Sequence, residues 1–263
     1  MEPARTGSLD LSDATPRVSI VVPAYNEGDA ILPYLSKVAD AVKHPFELLV
    51  VVDSADDSTI PAVAAVTERD PRIRTVINTH GRGPAQAIRY GFDTARAETV
   101  VVTMADGSDD PRQIDELTEL VERGVVVAAG SRYMAGGQQI GGPRFKRLLS
   151  RLAGRSLHLF AGIGTRDATN SFKAYNAQFV RTVTIQSRDG FEIGLELTAK
   201  ARRARQPVAE LPTIWLDRTE GVSNFQLRKW IPKYLRWYFF AFGKPLPLTE
   251  IERAALEGAK GSK

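Results

Sequence analysis

The stretch VSIVVPAYNE, from Val18 to Glu27, begins with a short apolar run rich in β-branched residues and turns at Pro23. A run of this kind predicts a buried strand. Outward from it, apolar runs recur in FELLVVVD, IRTVINT, ETVVVTMAD and VVVAAGSRY, with segments of helical period between them. Strands that are apolar throughout and alternate with helices predict a mostly parallel α/β sheet that helices cover on both faces.

Polar residues follow several of these strands directly. Residues 25–27 follow the first strand, Asp53 ends the second and Asp106 ends the fourth, while Gly81 and Gly83 precede the helix after the third. Sheets of this type bind ligands at the carboxyl ends of their strands. The sequence therefore predicts a ligand site at this edge.

The composition excludes several kinds of site. The chain has 263 residues and no cysteine, so disulfides, zinc–thiolate sites and thiol catalysis are excluded. His44, His80 and His158 lack the spacing of metal ligands, which speaks against a histidine metal site or a Ser-His-Asp triad. The net charge of +4 says little by itself, but residues 226–244 carry five basic residues and no acid. An excess of this kind favours phosphates or anionic lipid.

The ends of the chain differ from its middle. Residues 1–16 are polar and lack the apolar core of a signal peptide, and we expect them to be disordered. No stretch reaches the length of a transmembrane helix. We therefore expect an α/β domain over residues 17–224, followed by an amphipathic helix and a tail over residues 225–263.

The segment from Leu227 to Phe242 has two faces when it is placed on a helical wheel. One arc holds Arg228, Lys229, Lys233 and Arg236, and the opposite arc holds Leu227, Trp230, Ile231, Tyr234, Trp237, Tyr238 and Ala241. An aromatic face opposite a basic face is typical of a helix that lies in a membrane surface. The alternative is a terminal helix that packs on the core.

The order and spacing of four segments resemble the family 2 glycosyltransferases of GT-A (Rossmann-like) fold. They are VSIVVPAYNE, the strand that ends in Asp53 with the DDST after it, GRGPAQAIRYG and TMADGSDDP. The later segments GSRYMAGGQQIGGPRFKRLLSRLAG, RDATNSFKAYN, GFEIGLEL and LPTIWLDRTEGVSNF are similar to the dolichyl-phosphate mannosyltransferase (polyprenyl-phosphate glycosyltransferase) branch. The resemblance covers residues 18–225.

This resemblance implies an inverting enzyme that moves a sugar from a GDP- or UDP-linked donor to a polyprenyl phosphate. It implies no nucleic-acid partner, and a cytoplasmic location with peripheral attachment to the inner face of a membrane. Donor contacts are implied at Pro23, Ala24, Tyr25, Asn26, Glu27, Asp53, Arg82, Gly83, Ala105, Asp106, Arg218 and Ser223.

Individual roles follow for some of these residues. Tyr25 is expected to flank the base, Glu27 to reach the ribose hydroxyls, and Arg218 to contact the leaving diphosphate. Asp106 is the expected ligand of Mg²⁺ or Mn²⁺, which prefer hard oxygen ligands. Asp110 is expected only to cap the helix that begins at Pro111.

Three positions depart from the branch. Val52 stands where the branch carries the first of two acids after the second strand, and Met104 stands where it carries the first acid of an Asp-x-Asp pair. Asn224 stands where it often carries a lysine. The sequence therefore leaves open which nucleotide the chain binds.

The acceptor side of the predicted site is basic. The expected clamp consists of Arg132, Lys146, Arg147, Ser150 and Arg151. A phosphate acceptor is already ionised at neutral pH, so it needs positioning and charge control rather than a general base.

Two alternatives to a lipid phosphate acceptor remain open. A hydroxyl acceptor would require a base, and Glu192 or Glu196, one helical turn apart, are the candidates unless they are buried structural acids. A non-catalytic nucleotide-sugar or membrane-binding module is the second alternative. Consumption of the donor separates this module from the enzymes.

Overall fold

The computed structural model describes residues 15–217 and 227–260. Within these residues a seven-stranded sheet has the order β3-β2-β1-β4-β7-β5-β8, and a two-stranded sheet pairs β6 with β9. The strands are β1 Val18–Pro23, β2 Phe46–Val52, β3 Ile73–Ile77, β4 Thr99–Val102, β5 Val127–Ser131, β6 Gln138–Ile140, β7 Lys173–Asn176, β8 Val208–Pro212 and β9 Ile214–Leu216.

Helices connect the strands. They are α1 Leu32–Ala41, α2 Thr59–Thr67, α3 Pro84–Thr94, α4 Ile114–Glu122, α5 Arg144–Ser156, α6 Ala177–Thr182, α7 Glu192–Arg203, α8 Leu227–Ala241 and α9 Leu248–Lys260. A π-helical turn, Leu157–Ala161, continues α5.

The first strand lies at the centre of the core. It runs parallel to β2 on one side and to β4 on the other, and all of its residues are buried. Ile20 packs in the layer that contains residues of α1 and α4, whereas Val21 packs in the layer that contains residues of α3 and α7. The predicted fold class, a mostly parallel sheet with helices on both faces, is confirmed.

Two strands of the main sheet, β7 and β8, were not predicted from the sequence. The strand β7 is inserted between β4 and β5 and runs antiparallel to both. Its first residue, Lys173, is fully buried, and its ammonium group donates to the backbone carbonyls of Ala168 and Asn170. Burial lowers the pKa of Lys173 to about 7. A buried lysine obscures the apolar pattern by which the other strands were recognised.

The predicted helix after residue 226 is present as α8, but part of the face that was predicted to meet a membrane is buried in the protein. The side chain of Trp237 is 1% exposed and lies in a core cluster with Leu195 of α7, against which Tyr234 and Tyr238 also pack. Phe239 is 66% exposed instead. Trp237, Tyr234 and Tyr238 of the aromatic arc therefore pack on the core, as the alternative stated, whereas Ile231 is 41% exposed.

The cations of α8 are also directed toward the protein. Lys233 forms an ion pair with Asp189 at 2.6 Å, and Arg236 donates to the side chain of Gln186. The side chains of Arg228, Lys229 and Trp230 lie outside the described residues. No helix in the described ranges is long and apolar enough to cross a membrane.

Candidate active site

The loops that follow β1, β2, β3 and β4 lie together at one edge of the sheet. The backbone N–H of Ala24 donates to the carbonyl of Val51, and that of Thr103 donates to the carbonyl of Val21. The strands are parallel, so these bonds align the points at which the chain leaves the sheet. The predicted site residues after these strands are thus brought together.

The loop after β1 is held by the loop after β2. Asp57 is buried, and its carboxylate accepts from the N–H of Asn26 at 3.0 Å and from the N–H of Thr59 at 2.8 Å. Asn26 has a φ of 52°, in the left-handed region that asparagine tolerates. The ring of Tyr25, at the tip of this loop, is 69% exposed and therefore accessible to the base of a nucleotide.

Asp53 organises the turn before α3. Its two carboxylate oxygens accept from the side-chain amide of Asn78 at 2.8 Å and from the N–H of Gly83 at 2.7 Å. Gly83 has a φ of 107°, and a Cβ atom at this position would lie 2.8 Å from the carbonyl oxygen of Asp189. Both the backbone angle and the close contact therefore require glycine here. Arg82, beside it, is exposed.

Asp106 follows β4 and is half-buried. One of its oxygens accepts from the N–H of Ser108 at 3.1 Å and from the hydroxyl of the same residue at 2.6 Å. The residues that the structure describes contain no group of three acids, histidines or cysteines that would hold a metal ion. Asp110 accepts from the N–H of Arg112 at 3.1 Å, which confirms its predicted capping role.

Asp109 lies beneath this loop and was not singled out in the sequence. Its carboxylate accepts from the Thr103 hydroxyl at 3.1 Å and from the N–H of Met104 at 3.2 Å. Burial raises the pKa of Asp109 to about 7, and the charge of Asp106 adds to the rise. The only signal in the sequence is the acidic run DGSDD, which does not say which acid turns inward.

Arg132, a predicted acceptor contact, is engaged with a buried acid. Its Nε and Nη2 atoms lie 2.6 and 2.9 Å from the two oxygens of Asp167, which is 0% exposed. The N–H of Arg132 donates to the same carboxylate at 3.0 Å. This ion pair fixes the backbone at the end of β5. The sequence analysis did not identify Asp167, because its partner Arg132 lies 35 residues away in the chain.

The other predicted acceptor contacts lie on α5. Arg147 is half-buried with Nη1 3.5 Å from the carbonyl oxygen of Gln139, and Arg151 is exposed. The hydroxyl of Ser150 lies 2.7 Å from that of Thr169. The side chain of Lys146, and Arg218 and Ser223 of the predicted donor set, lie outside the described residues.

The two acids of α7 have different surroundings. Glu196 is fully buried and accepts from the N–H groups of Gln186 and Ser187, both at 2.7 Å, and it pairs with Lys200 at 2.9 Å. These bonds occupy both of its oxygens, so Glu196 is a structural acid and not an available base.

Glu192 is also buried, but its contacts are incomplete. One oxygen accepts from the N–H of Gly190 at 3.3 Å, and the other has no hydrogen-bond partner among the described residues. Burial raises the pKa of Glu192, while backbone N–H groups and Lys233 oppose the rise. The role of Glu192 as a base stays a prediction.

Substitution by glutamine is expected to distinguish these two acids. Glu196→Gln removes the nearer of the two carboxylates that pair with the buried Lys200 and leaves Glu252 at 3.5 Å, so we expect a loss of about 3 kcal/mol of the free energy of unfolding. Glu192→Gln removes a charge that burial disfavours, so its stability at pH 8 should equal or exceed that of the wild type. Urea denaturation measures both, and equal losses in the two variants would contradict this assignment.

Comparison with known proteins gives one family and several relatives. Residues 19–184 match the model of glycosyl transferase family 2. The polyprenol monophosphomannose synthase of Mycolicibacterium smegmatis is 29% identical over 85% of this chain and 87% of that protein.

Solved structures share the fold. Glucosyl-3-phosphoglycerate synthase from Mycobacterium tuberculosis, solved with Mn²⁺, UDP and glucosyl-3-phosphoglycerate, superimposes with a TM-score of 0.63 at 18% identity, over 94% of this chain and 87% of that one. A mannosyltransferase from Pyrobaculum calidifontis, solved with GDP-Man and Mn²⁺, gives a TM-score of 0.60 at 20% identity, over 95% and 74%.

Proposed function

We propose a reaction for this chain, which belongs to glycosyl transferase family 2 and is a glycosyltransferase. It transfers one sugar from a nucleotide diphosphate sugar to a polyprenyl phosphate. The observation that carries the proposal is the meeting of the loops of Tyr25, Asp53 and Asp106 at the carboxyl edge of the sheet. The near full-length similarity to a polyprenol monophosphomannose synthase supports a lipid phosphate as the acceptor.

The donor half of the site fits a nucleotide diphosphate and a divalent cation. Tyr25 offers an exposed ring to the base, and the half-buried carboxylate of Asp106 is a hard oxygen ligand for Mg²⁺ or Mn²⁺. Such ions keep several waters and take further oxygens from substrate phosphates, so one protein carboxylate is compatible with binding. When bound, the cation neutralises charge on the leaving diphosphate.

The acceptor half of the site needs no base in this reaction. A phosphate oxygen forms the new bond to the anomeric carbon as the bond from that carbon to the nucleotide diphosphate breaks on the opposite side, which inverts the centre. Arg147 and Arg151 of α5 supply positive charge for the acceptor phosphate, and Arg132 borders the same region.

A donor panel tests this function. GDP-mannose and UDP-glucose are each incubated with Mn²⁺, with and without a short-chain polyprenyl phosphate, and the release of nucleotide diphosphate is measured. We expect release that depends on the lipid phosphate. Release that requires a saccharide instead would favour the hydroxyl-acceptor alternative, with Glu192 as its candidate base. Binding of nucleotide with no release in any mixture would favour the non-catalytic module.

We place the membrane contact on a different surface from the one that the helical wheel indicated. Nine large apolar side chains are exposed on α5, the π-helical turn and α8, and a tenth, Phe242, directly follows α8. Ile231 belongs to the aromatic arc of the helical wheel, and we call the other nine the apolar surface. They are Phe145, Leu148, Leu149, Leu152, Leu159, Phe160, Leu235, Phe239 and Phe242. The hydroxyls of Ser156 and Tyr238, 2.8 Å apart, join the two segments that carry them.

Positive charge lies next to the apolar surface. Arg144, Arg147, Arg151 and Arg155 recur at spacings of three and four residues along α5, so they form one row beside its exposed leucines. A helix with an arginine row beside an apolar row suits the boundary of an anionic bilayer, because each charge near an anionic leaflet contributes about 1 kcal/mol. This surface would bring the chain to a lipid-borne acceptor.

Vesicle binding checks this placement. Leu152→Ser and Phe239→Ser each remove an apolar side chain that is more than half exposed, and each should weaken binding to anionic vesicles about tenfold, because burial of such a side chain contributes 1.5–3 kcal/mol. Ile77→Ser, at an exposed apolar position on β3, serves as the matched control and should bind normally. Wild-type binding by both α5 and α8 variants would rule the surface out.

A further inference from the structure

Residues 186–190, which we call the anchor loop, connect the chain after α6 to the start of α7. Three side chains of α8 bind this loop. Trp237 donates its indole N–H to the Ser187 hydroxyl at 3.1 Å, Arg236 donates to Gln186, and Lys233 forms its ion pair with Asp189. Because Lys233 precedes Arg236 and Trp237 by three and four residues, the three positions lie along one side of the helix, where the basic and aromatic arcs of the helical wheel meet.

The other side of the anchor loop meets the donor half of the site. The carbonyl oxygen of Asp189 lies so close to Gly83 that a Cβ atom added to Gly83 would be only 2.8 Å from this oxygen. Gly83 in turn donates its N–H to Asp53 at 2.7 Å. The anchor loop is therefore in contact with α8 on one side and with the glycine turn before α3 on the other.

The three contacts with α8 differ in strength. The Trp237–Ser187 bond is enclosed, since both residues are buried, and a hydrogen bond in such surroundings is stronger than one in water. The carboxylate of Asp189 is 59% exposed, so its pair with Lys233 is screened by solvent and contributes little. Trp237 thus provides the fully enclosed attachment of the loop to α8, beside the part-buried hydrogen bond from Arg236 to Gln186.

We propose that the anchor loop is a positioning element of the donor site and that Trp237 and Ser187 are positioning residues for the Gly83 turn. The inference rests on the proposed function for the identity of the ligand, a nucleoside diphosphate bound beside Asp53 and Gly83. Displacement of the anchor loop releases the close contact at Gly83, and the turn then loses the arrangement in which it meets the donor. Neither positioning residue contacts the substrate.

Nucleotide binding by calorimetry tests the inference without turnover. GDP and UDP, each with Mn²⁺, are titrated into the full chain, into Trp237→Phe and into Ser187→Ala. Each variant loses the same hydrogen bond, and we expect the dissociation constant to rise about fivefold in both, which corresponds to about 1 kcal/mol. The double variant should bind no more weakly than either single variant, because the two substitutions remove one shared interaction.

Tyr238→Phe is the matched control. It removes one hydrogen bond from the neighbouring residue of α8, but that bond runs to Ser156 of α5 and not to the anchor loop. Its melting temperature should fall like that of Ser187→Ala, which also loses one hydrogen bond, whereas that of Trp237→Phe should fall further because the smaller ring leaves space in the core. The nucleotide affinity of Tyr238→Phe should stay at the wild-type value. Equal weakening of nucleotide binding in this control would overturn the inference, since α8 would then act through general stability.

Two further results have distinct meanings. Wild-type affinity in Trp237→Phe and Ser187→Ala, with normal binding by the parent chain, overturns the positioning role and leaves the proposed function intact. A parent chain that binds neither nucleotide overturns the proposed function, and the donor role of the anchor loop with it.

Discussion

Asp106→Ala is expected to lower kcat by about 10³-fold or more while the chain remains folded. Asp106 is the carboxylate at the carboxyl end of β4, where the divalent cation and the diphosphate are proposed to bind. Met104 stands where the branch carries the first acid of an Asp-x-Asp pair. The other two acids of the loop are already engaged, Asp109 with Thr103 and Met104 and Asp110 as the cap of the Pro111 turn. Charge stabilisation of a leaving group contributes several kcal/mol, and about 4 kcal/mol corresponds to a thousandfold change in rate.

Asp110→Ala is the matched control for that variant. Asp110 lies in the same acidic run but caps the turn at Pro111, and loss of a cap costs only about 1 kcal/mol of stability. Steady-state kinetics with saturating donor, together with circular dichroism, compare the two. Near-normal turnover by a folded Asp106→Ala protein would falsify the metal-ligand assignment.

Arg132→Ala is expected to lower the free energy of unfolding by about 3–5 kcal/mol, because it leaves the fully buried Asp167 without its cation. The sequence identified Arg132 only as a contact for the acceptor phosphate. Because Arg132 forms a bidentate pair with Asp167, we expect its substitution to affect stability before it affects acceptor binding. Any loss of activity must therefore be measured under conditions where the variant is still folded.

Arg147→Ala is the comparison for this second effect. Arg147 is half-buried, and its long contact with the carbonyl oxygen of Gln139 contributes little, so its stability should lie within about 1 kcal/mol of the wild type. Urea unfolding measures both variants, and lipid kinetics of Arg147→Ala then report on the acceptor site. An Arg132→Ala chain as stable as the wild type, with a raised Michaelis constant for the lipid, would assign Arg132 to the acceptor alone.

The parts of the fold that the sequence predicted are those with local signals. The strands β1 to β5 were recognised as apolar runs, and the turns at Pro23 and Pro111 and the cap Asp110 follow from residue type at single positions. The resemblance to family 2 glycosyltransferases is confirmed by the match over residues 19–184. Because parallel strands end at one edge, the grouping of Tyr25, Asp53 and Asp106 followed without any knowledge of side-chain contacts.

The parts that were missed depend on partners far away in the chain. The strand β7 exists because its residues Lys173–Asn176 pair with β4 and β5 on either side. Glu196 has its role because Lys200 and the N–H groups of the anchor loop surround it. A list of acids in a sequence cannot separate an acid that is enclosed and satisfied from one that faces a ligand.

The helix α8 shows which of its properties the sequence determined and which ones depend on the tertiary structure. The sequence determined that residues after 226 form a helix with an aromatic arc, since period and composition are local properties. The tertiary structure decided that Trp237 faces inward and Phe239 outward, because α7 and the anchor loop offer Trp237 a packed surface and a hydrogen-bond acceptor. Burial stabilises whichever face finds complementary neighbours, and those neighbours are adjacent to α8 only after the chain has folded.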